Sequence, residues 1–135
     1  MYVVQNGSPS MHGPTNPPDP VEGIRRLTSV IELKPEKEQL YRELHANVWP
    51  DVLKAIEKSN IRNYSISLAR IEGRSYLFSY MEYTGNDLEA DFAAIADDAT
   101  TRDKWWPVTD SCQRAIEGTP EGSQWMPLER LMLIP

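Results

Sequence analysis

Cysteine and histidine are scarce in this sequence, which holds one cysteine, Cys112, and two histidines among 135 residues. A lone cysteine cannot form an internal disulfide, which favours a reducing compartment such as the cytoplasm. So few soft ligands leave no cluster with the spacing of a zinc site. A glycine-rich phosphate loop, a G-x-S-x-G elbow and a dinucleotide fingerprint are also missing. We therefore expect no metal, nucleotide or redox cofactor.

Positive charge and long apolar runs are the next shortages. The sequence has 14 basic and 20 acidic residues, which gives a net charge of -6. Because phosphate contacts need clusters of lysine and arginine, nucleic acid is a poor partner, and so is an anionic lipid surface. No apolar run approaches the roughly 18 residues that cross a bilayer. The N-terminus also does not have the charged and then apolar blocks of a secretory signal.

Proline is concentrated at the N-terminus. Residues 1–23 hold five of the 11 prolines, mixed with glycine, serine and asparagine. Such a segment buries too little surface to offset the entropy of ordering it. The sequence therefore predicts a disordered leader over residues 1–23, which includes His12, and one folded domain over residues 24–135.

Apolar periodicity divides this domain into strands and helices. Pro50 is expected to break the first helix near Trp49 and to begin a second helical piece. The predicted elements are a strand over 25–33, the broken helix from Pro35, a hairpin of strands 61–71 and 74–83, a helix over 86–98 capped by Asn86, a helix over 100–116 and a final strand in "WMPLERLMLIP".

This order of elements is typical of the α+β class, with a ferredoxin-like antiparallel sheet and helices on one face. The open face of such a sheet needs a cover. Two subunits packed sheet against sheet would provide one and would enclose a cavity between them. We therefore expect a homodimer with the architecture of a dimeric α+β barrel.

His45 is the main candidate for chemistry in the folded domain. Tyr41 and His45 are four residues apart on the first predicted helix, so their side chains are neighbours on one face. Because histidine titrates near neutral pH, it can both donate and accept a proton. The alternative is a structural role, in which a histidine near a helix end pairs with free carbonyl groups. Periodicity alone favours that alternative.

The adjacent tryptophans Trp105 and Trp106 allow two interpretations. Their side chains point about 100° apart on a helix, and composition alone favours core packing for them. Aromatic faces stacked on C–H surfaces also hold sugars, whose oxygens tyrosine hydroxyls can bind. Clustered tyrosine, tryptophan and histidine without a cofactor suggest a small, neutral, polar ligand.

Four segments, "LYRELHANVWPDVLKAI", "IRNYSISL", "DKWWPVTDSCQ" and "RLMLIP", together resemble the L-rhamnose mutarotase family. The resemblance spans about residues 25–135. It implies a dimeric α+β barrel and a cofactor-independent enzyme that interconverts the α and β anomers of a 6-deoxy sugar. L-rhamnose is the expected sugar, with L-fucose or another deoxy sugar as the alternative.

The resemblance also implies roles for particular residues. By position, the family's proton donor falls on His45, and its sugar-binding residues fall on Tyr41, Tyr64, Trp105 and Trp106. Mutarotation needs an acid at the ring oxygen and a base at the anomeric hydroxyl. We assign the acid to His45 and leave the base open between water and a tyrosine.

Two other classes of function stay open at this point. Ferredoxin-like dimers also serve as monooxygenases, with or without haem, and His45 would then be a haem ligand or a base. A non-catalytic sugar-binding protein would keep the pocket without turnover. Ser67, Pro107 and the long segment 86–104 depart from the family's pattern and are expected on or near the pocket, where they bear on the choice of sugar.

Overall fold

The computed structural model describes residues 11–135, so residues 1–10 of the predicted leader lie outside it. The architecture is α+β, with an antiparallel sheet whose one face is covered by helices. Within this described range, no helix combines the length and the apolar character needed to cross a membrane. The predicted fold class is confirmed.

Three long strands form most of the sheet: β1 (Arg25–Leu33), β2 (Ile61–Ile71) and β3 (Arg74–Tyr83). β3 lies between the other two and is antiparallel to both. The residues that join β2 to β3, Glu72 and Gly73, both have positive φ, which is the geometry of a tight hairpin turn. The predicted strands and their hairpin are confirmed.

Proline marks the start of the first two helical segments. Pro35 opens a short 3-10 turn that leads into the first α-helix, and Pro50 is the first residue of the second. Both positions suit a residue that lacks an N–H and has a fixed φ. The predicted break near Trp49 is therefore confirmed. The helices are α1 (Glu38–Ala46), α2 (Pro50–Lys58), α3 (Leu88–Asp97) and α4 (Trp106–Cys112), and a π-helical turn over Thr101–Trp105 precedes α4.

The helix predicted over residues 100–116 is shorter than expected. It ends at Cys112, and Gln113–Arg114 form a two-residue strand, β4, against the end of β1. The backbone N–H of Lys34 also donates to the Cys112 carbonyl at 2.9 Å. The open edge of β1 thus takes up residues that local pattern assigns to a helix, because tertiary pairing outweighs weak local propensity.

The long final strand predicted in residues 125–135 is wrong. Only Met126–Pro127, here called β5, pair with β1. Proline cannot donate to a ladder, which weakens the pairing at Pro127, and the next N–H, that of Leu128, still donates to the Thr28 carbonyl at 2.9 Å. The predicted cap of α3 also moves by one residue, because the Asp87 carboxylate, not Asn86, accepts a hydrogen bond from the helix.

The two faces of the sheet differ in burial. Alternate residues of β1 and β3 face the helices and are almost fully buried, and Ile31 (0% exposed) lies at the centre of this core. The opposite face is only half-buried and carries the aromatic side chains of Tyr76, Phe78 and Tyr80. One face is thus filled by this chain's own helices, while the other remains partly open.

A β-bulge in β2 sets which side chains reach the core face. Asn63 and Tyr64 together lie opposite a single residue of β3, and Asn63 has a φ of 49°. Asparagine tolerates this left-handed conformation better than most residues. The extra residue shifts the alternation, so that Ile61 before the bulge and Tyr64 within it both face the helices.

The described part of the predicted leader packs against the C-terminal segment. Arg130 donates to the Asp19 carboxylate at 2.8 Å, to the Asn16 side chain at 2.9 Å and to the carbonyl of Pro17. Asn16 is itself buried. Composition alone predicts disorder in this segment and does not indicate these contacts, because Arg130 lies more than 100 residues away in the chain.

Replacing Arg130 with methionine should destabilise the fold by about 3 kcal/mol, because it leaves the Asp19 carboxylate, which is 2% exposed, without its charged partner. Adding Asp19→Asn should recover part of this loss. Urea denaturation of both variants measures the effect. Arg102→Met is the matched control, since it removes an exposed pair with Asp103 and should change stability little. Equal effects of Arg102→Met and Arg130→Met would contradict the docking of this segment.

Candidate functional site

Helix α1 places Tyr41 and His45 on one face, and their rings stack with centroids 3.9 Å apart. Tyr41 is buried at 4% exposure, while His45 is half-buried. The i, i+4 spacing that the sequence shows therefore becomes a direct ring contact. The packing of Tyr41 into the core holds the imidazole ring from one side.

The imidazole of His45 is oriented by a hydrogen bond of 2.9 Å between Nδ1 and the Tyr41 carbonyl oxygen. Because a carbonyl oxygen only accepts, Nδ1 carries the proton in this contact, and Nε2 is the nitrogen left for a ligand. Burial lowers the pKa of His45, and the bond to the Tyr41 carbonyl opposes this shift in part. The neutral ring, with an accepting Nε2, is thus the favoured form near neutral pH.

Trp105 closes the other side of the imidazole. Its ring centroid lies 5.2 Å from that of His45, and Trp49 meets it edge-on at 5.0 Å. Trp105 ends the π-helical turn, in which the Trp106 N–H bonds back to the Thr101 carbonyl. Such turns change the direction of the side chains that follow and are frequent at functional sites. Trp49, at the break between α1 and α2, and Trp105, at the end of the π-helical turn, together form what is here called the aromatic wall.

A cavity of about 80 Å³ lies between this wall and the sheet, here called the site cavity. Tyr64 reaches it from β2 through the bulge, and Trp106 reaches it from the start of α4. The site cavity forms within one chain, between sheet and helices, rather than between two sheets as the sequence led us to expect. All five candidate residues line it: Tyr41, His45, Tyr64, Trp105 and Trp106.

The hydroxyl of Tyr41 is a buried polar group without a hydrogen-bond partner among the described residues. Burial is the main reason that the pKa of Tyr41 lies far above its usual range, and the nearby Tyr64 hydroxyl raises this pKa further. The phenol therefore stays protonated and can donate a hydrogen bond, but it is a poor base. An unpaired buried donor is costly, which is typical of a group that meets a ligand.

Two residues that were expected near the pocket, Ser67 and Pro107, do not line the site cavity. Ser67 lies on the open face of the sheet, opposite Phe78.

Three residues that the sequence did not single out do line the site cavity: Asp110, Gln113 and Trp125. Gln113 reaches the cavity only because α4 ends at Cys112 and a strand follows, whereas a continuous helix would turn its side chain elsewhere.

A second cleft, larger at about 410 Å³, lies between α2 and α3. Its lining is made of charged and small residues, among them Lys54, Lys58 and Asp97. Among residues 11–135, neither an aromatic side chain nor a histidine lines it. The smaller site cavity is therefore the better candidate, because it combines apolar walls with a few convergent polar groups.

Comparison with known proteins points to one family. The family model described as L-rhamnose mutarotase matches residues 26–132. An L-rhamnose mutarotase of Lactiplantibacillus plantarum is 33% identical over 60% of this chain and 72% of its own. The corresponding protein of Bacillus subtilis is 28% identical over 62% of this chain and 74% of its own.

A solved structure supports the same fold. The crystal structure of an L-rhamnose mutarotase from Formosa agariphila matches with a TM-score of 0.55, covering 82% of this chain and 99% of that one. At 22% identity this likeness concerns the fold alone. The family match, by contrast, spans most of the described chain, and we conclude that this protein belongs to the L-rhamnose mutarotase family.

Proposed function

We propose that this protein is a cofactor-independent mutarotase that interconverts the α and β anomers of L-rhamnose. The observation that carries the proposal is the arrangement of His45, whose Nδ1 is held by the Tyr41 carbonyl while the ring lines an aromatic cavity. A histidine so oriented offers one nitrogen to a ligand. The names of the relatives support L-rhamnose as the substrate.

In this scheme His45 is both the acid and the base that the sequence left open between water and a tyrosine, because its free Nε2 can accept a proton and return it. The anomeric hydroxyl oxygen and the ring oxygen are bonded to the same carbon, so one nitrogen can reach both. Neutral His45 accepts the anomeric hydroxyl proton as the bond between C1 and the ring oxygen breaks, which produces the aldehyde. The imidazolium then donates that proton to the former ring oxygen. Rotation about C1–C2 and the reverse steps on the other face give the other anomer.

The remaining residues hold the sugar in this scheme. Tyr41 and Tyr64 would donate hydrogen bonds to sugar oxygens, since the phenol of Tyr41 stays protonated. Trp105 and Trp106 would pack against the apolar side of the sugar. The position of Ser67, on the open face of the sheet, removes one of the reasons for expecting a different sugar.

His45→Ala should reduce enzyme-catalysed anomer exchange of L-rhamnose by about 10²–10⁴-fold, because it removes the proton-transfer group. Saturation-transfer NMR measures the exchange, with L-fucose as the comparison sugar. His12→Ala is the matched control, because His12 does not line the site cavity. A folded His45→Ala variant with unchanged exchange would exclude His45 as the proton-transfer residue.

The same samples separate the other classes of function. A protein that binds L-rhamnose without catalysis would show a higher melting temperature with the sugar and exchange at the background rate. Exchange that is faster with L-fucose than with L-rhamnose would identify L-fucose as the preferred substrate and would leave the proposed reaction unchanged. Exchange with neither sugar would exclude this mutarotase activity.

The pH dependence should follow the neutral form of His45. Its pKa is lowered from 6.5 by burial, so the exchange rate above background should be constant near neutral pH and fall as pH decreases below 6.5. Stability should fall over the same interval, because the unfolded chain gains a proton near 6.5 that the folded ring resists. NMR titration of the imidazole resonances, with His12→Asn for assignment, measures the pKa of His45. Exchange rates and urea denaturation at the same pH values test the two expected decreases. A titration of His45 above 6.5 would contradict this order of steps.

We also propose that the protein is a homodimer that packs through the open face of the sheet. The aromatic side chains of Tyr76, Phe78 and Tyr80 on this half-buried face support it, since monomers rarely leave such a surface uncovered. Phe78→Glu should therefore shift the protein from dimer to monomer in sedimentation velocity. Leu53→Glu is the control, because Leu53 is an exposed apolar residue on α2. A monomeric wild type would refute the dimer.

A further inference from the structure

Gln113 is the polar residue of the site cavity with the least obvious structural purpose. It is 8% exposed and lines the cavity. Its backbone pairs with Leu33 of β1, and no residue within 11–135 bonds to its side-chain amide. The amide is not one of the fully buried polar atoms that lack a partner, so it is open to the cavity that it lines. A ligand in the cavity can therefore bond to it.

The backbone directs the Gln113 side chain toward the site cavity. Gln113 follows the last residue of α4 in extended conformation and pairs with Leu33 of β1. Directly paired residues carry their side chains on the same face of a sheet. Because Leu33 is buried under the helices at 1% exposure, Gln113 faces the same side. The end of β1 therefore fixes the backbone position of Gln113.

The chemistry of an amide suits a hydroxyl group. The side chain of glutamine has both a donor and an acceptor, and a sugar hydroxyl also donates and accepts. His45 is reserved for proton transfer at the anomeric centre, and an amide has no role in such a transfer. On the basis of the mutarotase function above, we propose that Gln113 binds a hydroxyl at carbon 2, 3 or 4 of the sugar and selects sugars by that hydroxyl.

The proposal predicts a separation between stability and substrate binding in Gln113→Leu. Leucine replaces an amide that bonds to no described residue with an apolar side chain of similar size, so the melting temperature should stay the same or rise. The KM for L-rhamnose should rise about tenfold, the effect of one lost hydrogen bond, while kcat changes much less. A structural role would instead lower the melting temperature. Gln39→Leu is the matched control, because Gln39 is exposed on α1, where its side chain bonds to Glu43.

Deoxy analogues decide which contact is lost. Wild type and Gln113→Leu are compared on L-rhamnose and on its three analogues that lack the hydroxyl at carbon 2, 3 or 4. If Gln113 binds one of these hydroxyls, the tenfold penalty should nearly vanish on the analogue that lacks it and persist on the other two. The same penalty on all four sugars, or a fall in melting temperature that accompanies the rise in KM, would overturn the proposal.

The proposed function and this inference can fail separately. If wild type binds the sugars without exchanging their anomers, the mutarotase function fails, and the same four-sugar comparison is made with dissociation constants from calorimetry. A penalty confined to one analogue then still supports Gln113 as a hydroxyl-binding residue. If wild type binds none of the sugars, both are overturned.

Discussion

The pairing of β1 along both of its edges is the constraint on which the rest of the structure depends. One edge takes the whole of β3, and the other takes the two short strands β4 and β5. Ile31, at its centre, is completely buried. The strand leads directly into the segment that contains α1, and its last residues receive the end of α4. His45, on the helix that follows β1, and Gln113, paired with the last residue of β1, thus line one cavity although they are 68 residues apart in the chain.

The site cavity keeps polar groups in states that cost stability. His45 is half-buried with a lowered pKa, and the Tyr41 hydroxyl has no partner among the described residues. Each group would be more stable in water or with a fixed protein partner. The packing of the aromatic wall and the core offsets these costs. The same desolvation that is unfavourable for folding strengthens a hydrogen bond to a ligand that enters the cavity.

Much of the site was predictable because it lies on helix α1, where spacing translates directly into geometry. Tyr41 and His45 had to be neighbours once the helix formed, and the prolines on either side set its limits. Tyr64 was harder, because alternation in β2 shifts at the bulge and only the paired strand reveals the shift. Gln113 was missed, because residues 100–116 look like one helix, and the open edge of β1 that ends it is remote in sequence. The contacts of residues 11–23 with Arg130 were hidden for the same reason.

The sequence by itself determined the class of fold, the order of the first elements and the five candidate residues that line the site cavity. These depend on local periodicity, on proline and glycine at turns, and on the side chains available for proton transfer. Only the tertiary structure decided that the cavity lies within one chain, that Nδ1 of His45 is occupied and that α4 gives way to a strand at Gln113. Each of these results from contacts between distant segments, whose free energy exceeds the weak local preferences that a sequence pattern displays.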